Sequence, residues 1–566
     1  MNRIKSVVCL CLAMSVGVSA RDWIERPWKD DVIYFLMTDR FHDGDPENNM
    51  PPGSDPALYD PAQENINLYH GGDFRGVENA LVDGYFTDLG ISAIWITPPV
   101  RNAWMSLHDL GGSKSGYHGY WAQDFRDIDP HLTSANSRSG TPYAKGREGR
   151  LRHYKDLIDL AHQNNIKVVQ DMVCNHIGPL FYYDLDGNGS HDGKAEEWMP
   201  PYKPDGSYLK SARWTDDPHW NVGKPSGFFQ DMELYWAKGF SPDSLGKTDG
   251  EEQRCDFFSL RAFNTEPDSP HFDKLVDEFV DIYHFYIDEL GVDGLRIDTV
   301  KHVDKAFWDA FSSRLRKRLG PDADKLLMFG EVYGNSIQDI NQYAGNLGSL
   351  LNFQFTWAVR DVLRQGNLGD PDKLRQFIER MNSEVEPKNV RLNTVNFIGN
   401  HDGLNRFLVN GVSEQNHALA LAVLLTAEGI PCLYYGSELG LRDNQADRHQ
   451  QSETGRISLF DNTGNRGFGA RKANPHFKRV SELVALRKML PDLVDADIAV
   501  IPCGNGLLAY RRGGAVVVLN AGEQPQQPPP LPASTTLLYS NGLITNPEPT
   551  GSRSVPAKTL QVYRVR

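Results

Sequence analysis

What most constrains this chain is a rhythm: short apolar runs alternate with segments whose apolar residues recur at helical spacing, and eight such runs occur. The first three are VIYFLMTDRF (Val32 to Phe41), ISAIWITPPV (Ile91 to Val100) and KVVQDMVCNH (Lys167 to His176). The rhythm resumes with the run from Val292 to Ile297, then LLMFGEVY (Leu326 to Tyr333), LNFQF (Leu351 to Phe355), NTVNFIGNHD (Asn393 to Asp402) and IPCLYYGSEL (Ile430 to Leu439). Continuous apolar runs of this length suit strands buried on both faces. Between them, Phe74 to Leu89, Leu151 to Gln163 and the segment carrying Leu275, Phe279, Ile282 and Tyr286 suit helices. The pattern predicts an α/β fold, a parallel (β/α)8 TIM barrel. A doubly wound sheet is the alternative. It leaves unexplained why His176, Asp298, Glu331, His401 and Asp402 all fall at the carboxyl ends of runs. In a barrel those ends meet on one face, where active sites lie.

Two stretches break the rhythm. From Ile177 to about Pro270 the chain is rich in Gly, Asp, Pro and Trp and lacks periodicity. That is too long for a loop inside a compact domain, so an inserted subdomain follows strand 3. After about Asp495 come Leu507 to Arg511, Ala515 to Leu519, Thr536 to Tyr539 and Thr559 to Val565, short strand-like runs parted by Gly, Asn and a Pro-rich loop. They predict a C-terminal all-β sandwich domain. At the other end, Arg3 and Lys5 precede an apolar run, Val7 to Val18, and Val18-Ser19-Ala20 fits a cleavage site for export. The expected division is therefore a signal peptide at 1–20, barrel at 21–176 and 271–494, inserted subdomain at 177–270 and β-domain at 495–566. Cys174, Cys255, Cys432 and Cys503 are scattered without metal-ligand spacing. A formal net charge of −15 argues against nucleic acid and anionic membrane as partners. Eleven Trp and 22 Tyr suit the apolar faces of sugar rings.

Arg296 and Asp298 sit two apart near the end of the Gly294 run, so on a strand they point to the same side. An arginine there can hold a carboxylate ionised, and an ionised carboxylate can attack an electrophilic carbon. Four blocks in order, DMVCNH (Asp171 to His176), GLRIDTVKH (Gly294 to His302), GEVYG (Gly330 to Gly334) and FIGNHD (Phe397 to Asp402), resemble the α-amylase family of glycoside hydrolases and transglycosidases. GYHGYW (Gly116 to Trp121) and YYGSELG (Tyr434 to Gly440) extend the resemblance. It implies that Asp298 is the nucleophile, Glu331 the general acid/base and Asp402 the carboxylate that helps hold a distorted sugar. It further implies that Arg296 orients Asp298, that Asp171 braces the arginine, that His118, His176 and His401 bond the ring at the scissile position, and that Tyr120 stacks beneath it. Lys301 and His302 would face the leaving-group side. Physical reasoning agrees: a glycosidic bond needs a proton for its leaving oxygen and an anion to trap the oxocarbenium-like carbon.

HDGDPENN (His42 to Asn49) and HGGDFRG (His70 to Gly76) supply dense hard-oxygen ligands, which suit calcium. The pattern resembles the N-terminal calcium site of cyclodextrin glucanotransferases, implying Asp43, Asp45, Asn48, Asn49, Asp73 and the Gly71 carbonyl as ligands. The family's other calcium site, near Asn175, is expected to be weak or lost, because Ala262 stands where relatives carry an aspartate. DLDGNG (Asp184 to Gly189) resembles the start of an EF-hand loop but lacks Glu at its twelfth position, so a polar turn is expected. The function expected is an exported α-amylase-type endohydrolase of α-1,4-glucans. A cyclodextrin or maltooligosaccharide hydrolase or a transglycosidase is the runner-up, disfavoured because one β-domain leaves no room for the starch-binding domains of glucanotransferases. A noncatalytic α-glucan-binding protein is the remote alternative.

Overall fold

The computed structural model describes residues 23–105, 114–191, 194–215, 223–241, 253–364, 371–442, 454–460, 467–504, 506–540, 543–549 and 554–565. The expected signal segment lies outside these residues.

Eight parallel strands form one sheet: β1 (Ile33–Leu36), β2 (Ala93–Ile96), β3 (Lys167–Met172), β4 (Gly294–Ile297), β5 (Leu327–Gly330), β6 (Gly348–Leu350), β7 (Val395–Asn396) and β8 (Ile430–Tyr434). The order is β6-β5-β4-β3-β2-β1-β8-β7, and a parallel bridge between Leu351 and Val395 joins the two ends into a barrel. Every residue of β1 through β5 is buried. Double burial is what makes these strands read as continuous apolar runs. The polar exceptions are anchored: Gln170 accepts from the Tyr154 hydroxyl at 3.0 Å, and Lys167 pairs with Asp31 at 2.9 Å.

The surrounding helices bury the faces their spacing marks. Helix Phe272–Phe285 buries Leu275, Phe279 and Ile282, passes into a single π-helical turn, Tyr286–Leu290, and stops at Gly291 with φ +96°. Three expectations are corrected. Phe74 to Leu89 is two helices, Phe74–Asp83 and Tyr85–Leu89, because Gly84 adopts φ +78° and ends the first. The Val32 run is a strand only to Leu36, and Thr38–Phe41 is a helical turn. LNFQF is not a strand: β6 ends at Leu350, and Asn352 caps helix Phe353–Leu363 by accepting from Phe355 N at 3.1 Å.

Beyond β3 the chain leaves the barrel. His176–Ile177 pairs antiparallel with Arg261–Ala262, and Phe181–Tyr183 with Ala212–Trp214. At the end of the chain β9 (Ile498–Ile501), β10 (Leu507–Arg512), β11 (Ala515–Asn520), β12 (Thr535–Ser540), β13 (Leu543–Pro549) and β14 (Thr559–Val565) form an antiparallel sheet in the order β9-β10-β11-β14-β12-β13. One face, with Leu508, Tyr510, Val517 and Val562, joins the barrel core. The other gathers Leu507, Ala509, Val516, Val518 and Tyr563 into a cluster of its own. All four described cysteines are unbridged thiols.

Candidate active site

The carboxyl ends of the strands open into a cavity of about 620 Å³. At its floor Arg296, fully buried on β4, donates from Nη1 to Asp171 Oδ1 at 2.9 Å and to Asp298 Oδ1 at 2.8 Å, while Nη2 stands 2.8 Å from Glu331 Oε2. Asp171 lies on β3, Asp298 follows β4 and Glu331 follows β5. Adjacent strand tips thus deliver three acids to one guanidinium. Asp171 is fixed further by Trp95 Nε1 at 3.1 Å and the Tyr120 hydroxyl at 2.8 Å.

Burial dominates the electrostatics. It pushes the Glu331 carboxyl up to about 8 and that of Asp298 up to about 6, against the pull of Arg296 on both. Arg296 favours the charged form of Asp298 as expected, but one cation shared among three desolvated acids does not offset burial. The order survives, with Glu331 above Asp298. Burial likewise drives His176 down to about 3 and His118 and His401 well below the ordinary value, so these rings are neutral hydrogen-bonding groups.

The ring-bearing residues are held from behind. Gly119, at φ +90°, lies so close to the Pro98 carbonyl that a Cβ would approach it to 2.2 Å. That turn lets Tyr120 N donate to His118 Nδ1 at 3.0 Å, and His176 Nε2 meets the Tyr120 carbonyl at 3.2 Å. Tyr120 stacks on His401 at 5.4 Å. Asp402, with its side chain 29% exposed, is the most open acid; His401 Nε2 stands 3.5 Å from it and Arg456 Nη2 3.4 Å.

All of the acids and rings singled out in the sequence, Asp298, Glu331, Asp402, His118, Tyr120, His176, Lys301, His302 and His401, line the cavity, with Arg296 below. Sequence reasoning missed Arg456, which also donates to the His401 carbonyl at 2.8 Å and to the Tyr117 hydroxyl at 3.3 Å. It also missed Phe257, Phe258 and Tyr333 on the wall. Arg456, Phe257 and Phe258 lie outside the blocks, and Tyr333, though inside GEVYG, carries no chemical signature of its own; the left-handed backbone of Phe258 (φ +58°) is invisible in its residue type.

Residues 35–474 match the α-amylase catalytic-domain model. The chain belongs to the α-amylase family. The cyclomaltodextrin glucanotransferase of Niallia circulans is 29% identical over 502 residues, covering 88% of this chain and 59% of that protein. An α-amylase of the same organism is 30% identical over 505 residues, covering 88% and 81%. The chain thus spans about three fifths of the length of the curated glucanotransferase. Among solved structures, a cyclomaltodextrin glucanotransferase with a three-domain ABC distribution superposes with a TM-score of 0.70 at 24% identity, covering 95% of this chain and 99% of that one.

The loop expected to hold calcium contributes no residue to the cavity's lining. Asp73 Oδ1 accepts from Gly44 N and Gly76 N at 3.1 and 2.7 Å, and Oδ2 from Asp45 N and Asn48 Nδ2 at 2.9 and 2.8 Å. Asn49 Nδ2 donates to Asp43 Oδ2 at 2.8 Å. Asp43 Oδ1, Asn48 Oδ1 and Asn49 Oδ1 are buried with no hydrogen-bond partner. Gly71 backs onto Asn49 so closely that a Cβ would come within 2.5 Å of Asn49 Oδ1. Among the described residues no three His, Cys, Asp or Glu side chains converge as metal ligands. Orphaned oxygens from one carboxylate and two amides nonetheless fit a hard cation. In the EF-hand-like turn, Asp184, Asp186 and Asn188 each accept from a backbone amide of their own turn. Near Asn175, Ala262 pairs with His176 and brings no ligand side chain.

Proposed function

We propose that this chain is an exported, retaining glycoside hydrolase that cleaves α-1,4-glucosidic bonds in starch-like glucans and maltooligosaccharides. The observation carrying the proposal is the single Arg296 guanidinium that holds both Asp298 and Glu331 at 2.8 Å. Adjacent nitrogens of one planar fork keep the two carboxyl groups close, which favours the short separation of retaining enzymes over the roughly 6.5–9.5 Å that admits a water in inverting ones.

In the first step the Asp298 carboxylate attacks the anomeric carbon while Glu331 gives its proton to the glycosidic oxygen. The C–O bond breaks, the shortened glucan leaves as an alcohol and a glucosyl ester of Asp298 remains. In the second step Glu331, now a carboxylate, takes a proton from water. The water oxygen attacks the same carbon, and Asp298 departs ionised. Arg296 stabilises Asp298 whenever it is charged. Neutral His118, His176 and His401 hydrogen-bond sugar hydroxyls, Tyr120 supplies a ring face, and Asp402, beside Arg456, accepts from the distorted sugar. Lys301 and His302 line the leaving-group side.

Calcium, when bound, would tie the 43–49 loop to the 70–76 segment as a structural ion, held by Asp43, Asp45, Asn48, Asn49, Asp73 and the Gly71 carbonyl, of which Asp43, Asn48 and Asn49 offer the unpartnered oxygens. Export rests on the N-terminal residue pattern. No described helix is long and apolar enough to cross a membrane.

Transglycosylation is the second reading. The curated relatives named cyclomaltodextrin glucanotransferases support it, as do Phe257 and Phe258 on the cavity wall, where a second sugar chain could replace water. Domain count does not disfavour it, since a three-domain glucanotransferase exists. Product analysis on starch, maltoheptaose and β-cyclodextrin, with Asp298→Asn as control, separates the readings. A ladder of linear maltooligosaccharides lost in the control supports hydrolysis; cyclic or lengthened products support transfer. No product from any substrate would refute both.

A further inference from the structure

Arg261 sits at the base of a tight turn. Phe257 and Leu260 exchange backbone hydrogen bonds at 3.1 and 3.0 Å, and between them Phe258 takes φ +58°, a conformation a bulky side chain rarely adopts. The residue is 40% exposed. Phe257 packs against His302 at 4.7 Å and His176 at 5.7 Å, so the turn forms a wall of the cavity beside residues that face the reaction.

Beneath the turn the Arg261 side chain is fully buried. Nε and Nη2 donate to the Phe181 carbonyl at 2.9 and 2.8 Å, and Nη1 to the Trp198 carbonyl at 2.9 Å and to Asp256 Oδ2 at 2.8 Å. Asp256 Oδ2 also accepts from the Tyr183 hydroxyl at 2.5 Å. The guanidinium lies 4.8 Å from the ring centres of both Phe181 and Tyr183. One cation therefore collects oxygens from three separate stretches of the insertion, and its anionic partner is the residue that starts the Phe257–Phe258 turn. Apolar packing would serve stability as well as a buried ion pair does. What the pair supplies is a fixed direction, because a planar fork accepts its partners in one orientation.

We propose that Arg261 is a positioning residue: through Asp256 it holds the Phe257–Phe258 turn against the cavity and so sets how tightly the sugar on the leaving-group side of the cleaved bond is gripped. The inference rests on the proposed glycosidase function. Its logic is mechanical. A left-handed phenylalanine is strained and relaxes unless its flanks are pinned, and the flank on one side is Asp256.

The test compares maltoheptaose, which fills the leaving-group side, with 4-nitrophenyl α-maltoside, which barely enters it. Arg261→Lys keeps the charge and loses the fork; Asp256→Asn keeps the hydrogen-bonding shape and loses the charge, and serves should the lysine variant fail to fold. For either, KM for maltoheptaose should rise roughly tenfold, the worth of one well-placed aromatic contact, with kcat and the maltoside kinetics little changed. Adding Arg261→Lys to Phe258→Ala should cost no more than Phe258→Ala alone, since both act through one ring. Maltoheptaose binding to Asp298→Asn protein should weaken by the same factor when Arg261→Lys is added. Equal losses on both substrates, full additivity with Phe258→Ala, or no change at all would overturn the inference while leaving the glycosidase reading intact. If the unsubstituted protein neither cleaved nor bound either substrate, the glycosidase reading would fall, and this inference with it.

Discussion

Arg296 receives acids from three neighbouring strands, and its single charge cannot balance them all once they are buried. A proton must stay in the cluster, and burial together with Asp402 and Asp298 places it on Glu331, whose carboxyl rises to about 8, while that of Asp298 rises to about 6. The proposed division of labour fits that order: near neutral pH one acid would be ionised for attack and the other protonated for donation. Because Asp298 must lose its proton, kcat/KM should climb as pH passes about 6. Because Glu331 must keep its own, kcat/KM should fall as pH passes about 8. A pH–rate profile on maltoheptaose checks both limbs. Glu331→Gln should remove the alkaline limb and cost about 10²–10⁴-fold on glucans. The loss in kcat/KM, which reports the first step alone, should be far smaller with a 4-nitrophenyl leaving group, which departs without a proton. Equal losses on the two substrates would contradict the assignment.

At the scale of elements, close packing fixes the strand tip that presents Glu331. Gly330 ends β5 immediately before Glu331, and a Cβ there would lie 2.8 Å from side-chain carbons of both Leu347 and Val300 and 3.0 Å from Leu350. Gly330→Ala should therefore destabilise by about 1–3 kcal/mol. It should also lower kcat by displacing Glu331. Thermal unfolding and kinetics report the two effects separately; an unchanged Tm with full activity would show that the tip is looser than these distances imply. The sequence disclosed these tips well. Asp298, Glu331, His401 and Asp402 each follow an apolar run that double burial makes conspicuous. It disclosed less where local signals compete. LNFQF alternates apolar and polar residues like a strand, yet Asn352 caps a helix from Phe353. Gly84 splits what spacing alone presents as one helix. Arg456 and Phe258 stayed hidden because their roles depend on long-range folding: Arg456 reaches the His401 carbonyl across 55 residues.

Across the whole molecule, two buried polar centres differ in kind: the cavity, walled by barrel and insertion, and the 43–73 loop. The cavity shares one buried guanidinium among three acids. The 43–73 loop instead leaves Asp43 Oδ1, Asn48 Oδ1 and Asn49 Oδ1 without partners, and burial lifts the Asp73 carboxyl to about 8. A calcium ion would complete those oxygens without entering the reaction. Calcium at 100 times its dissociation constant should add about 2.7 kcal/mol of stability. A chelator should accordingly lower the apparent Tm, and Asp43→Ala should abolish the response to calcium. A Tm indifferent to chelator would exclude the ion from this loop. The barrel's architecture was legible because eight units repeat; the path of the insertion was not, since aromatic packing and the Arg261–Asp256 pair shape it without periodicity. The central claim, double displacement by Asp298 and Glu331, is tested most directly by following the anomeric protons of the first products from maltoheptaose by NMR. The account predicts that the new reducing end appears as the α-anomer before mutarotation, and that Asp298→Asn forms none at a measurable rate. A β-anomer appearing first, or an Asp298→Asn protein as active as the parent, would contradict it.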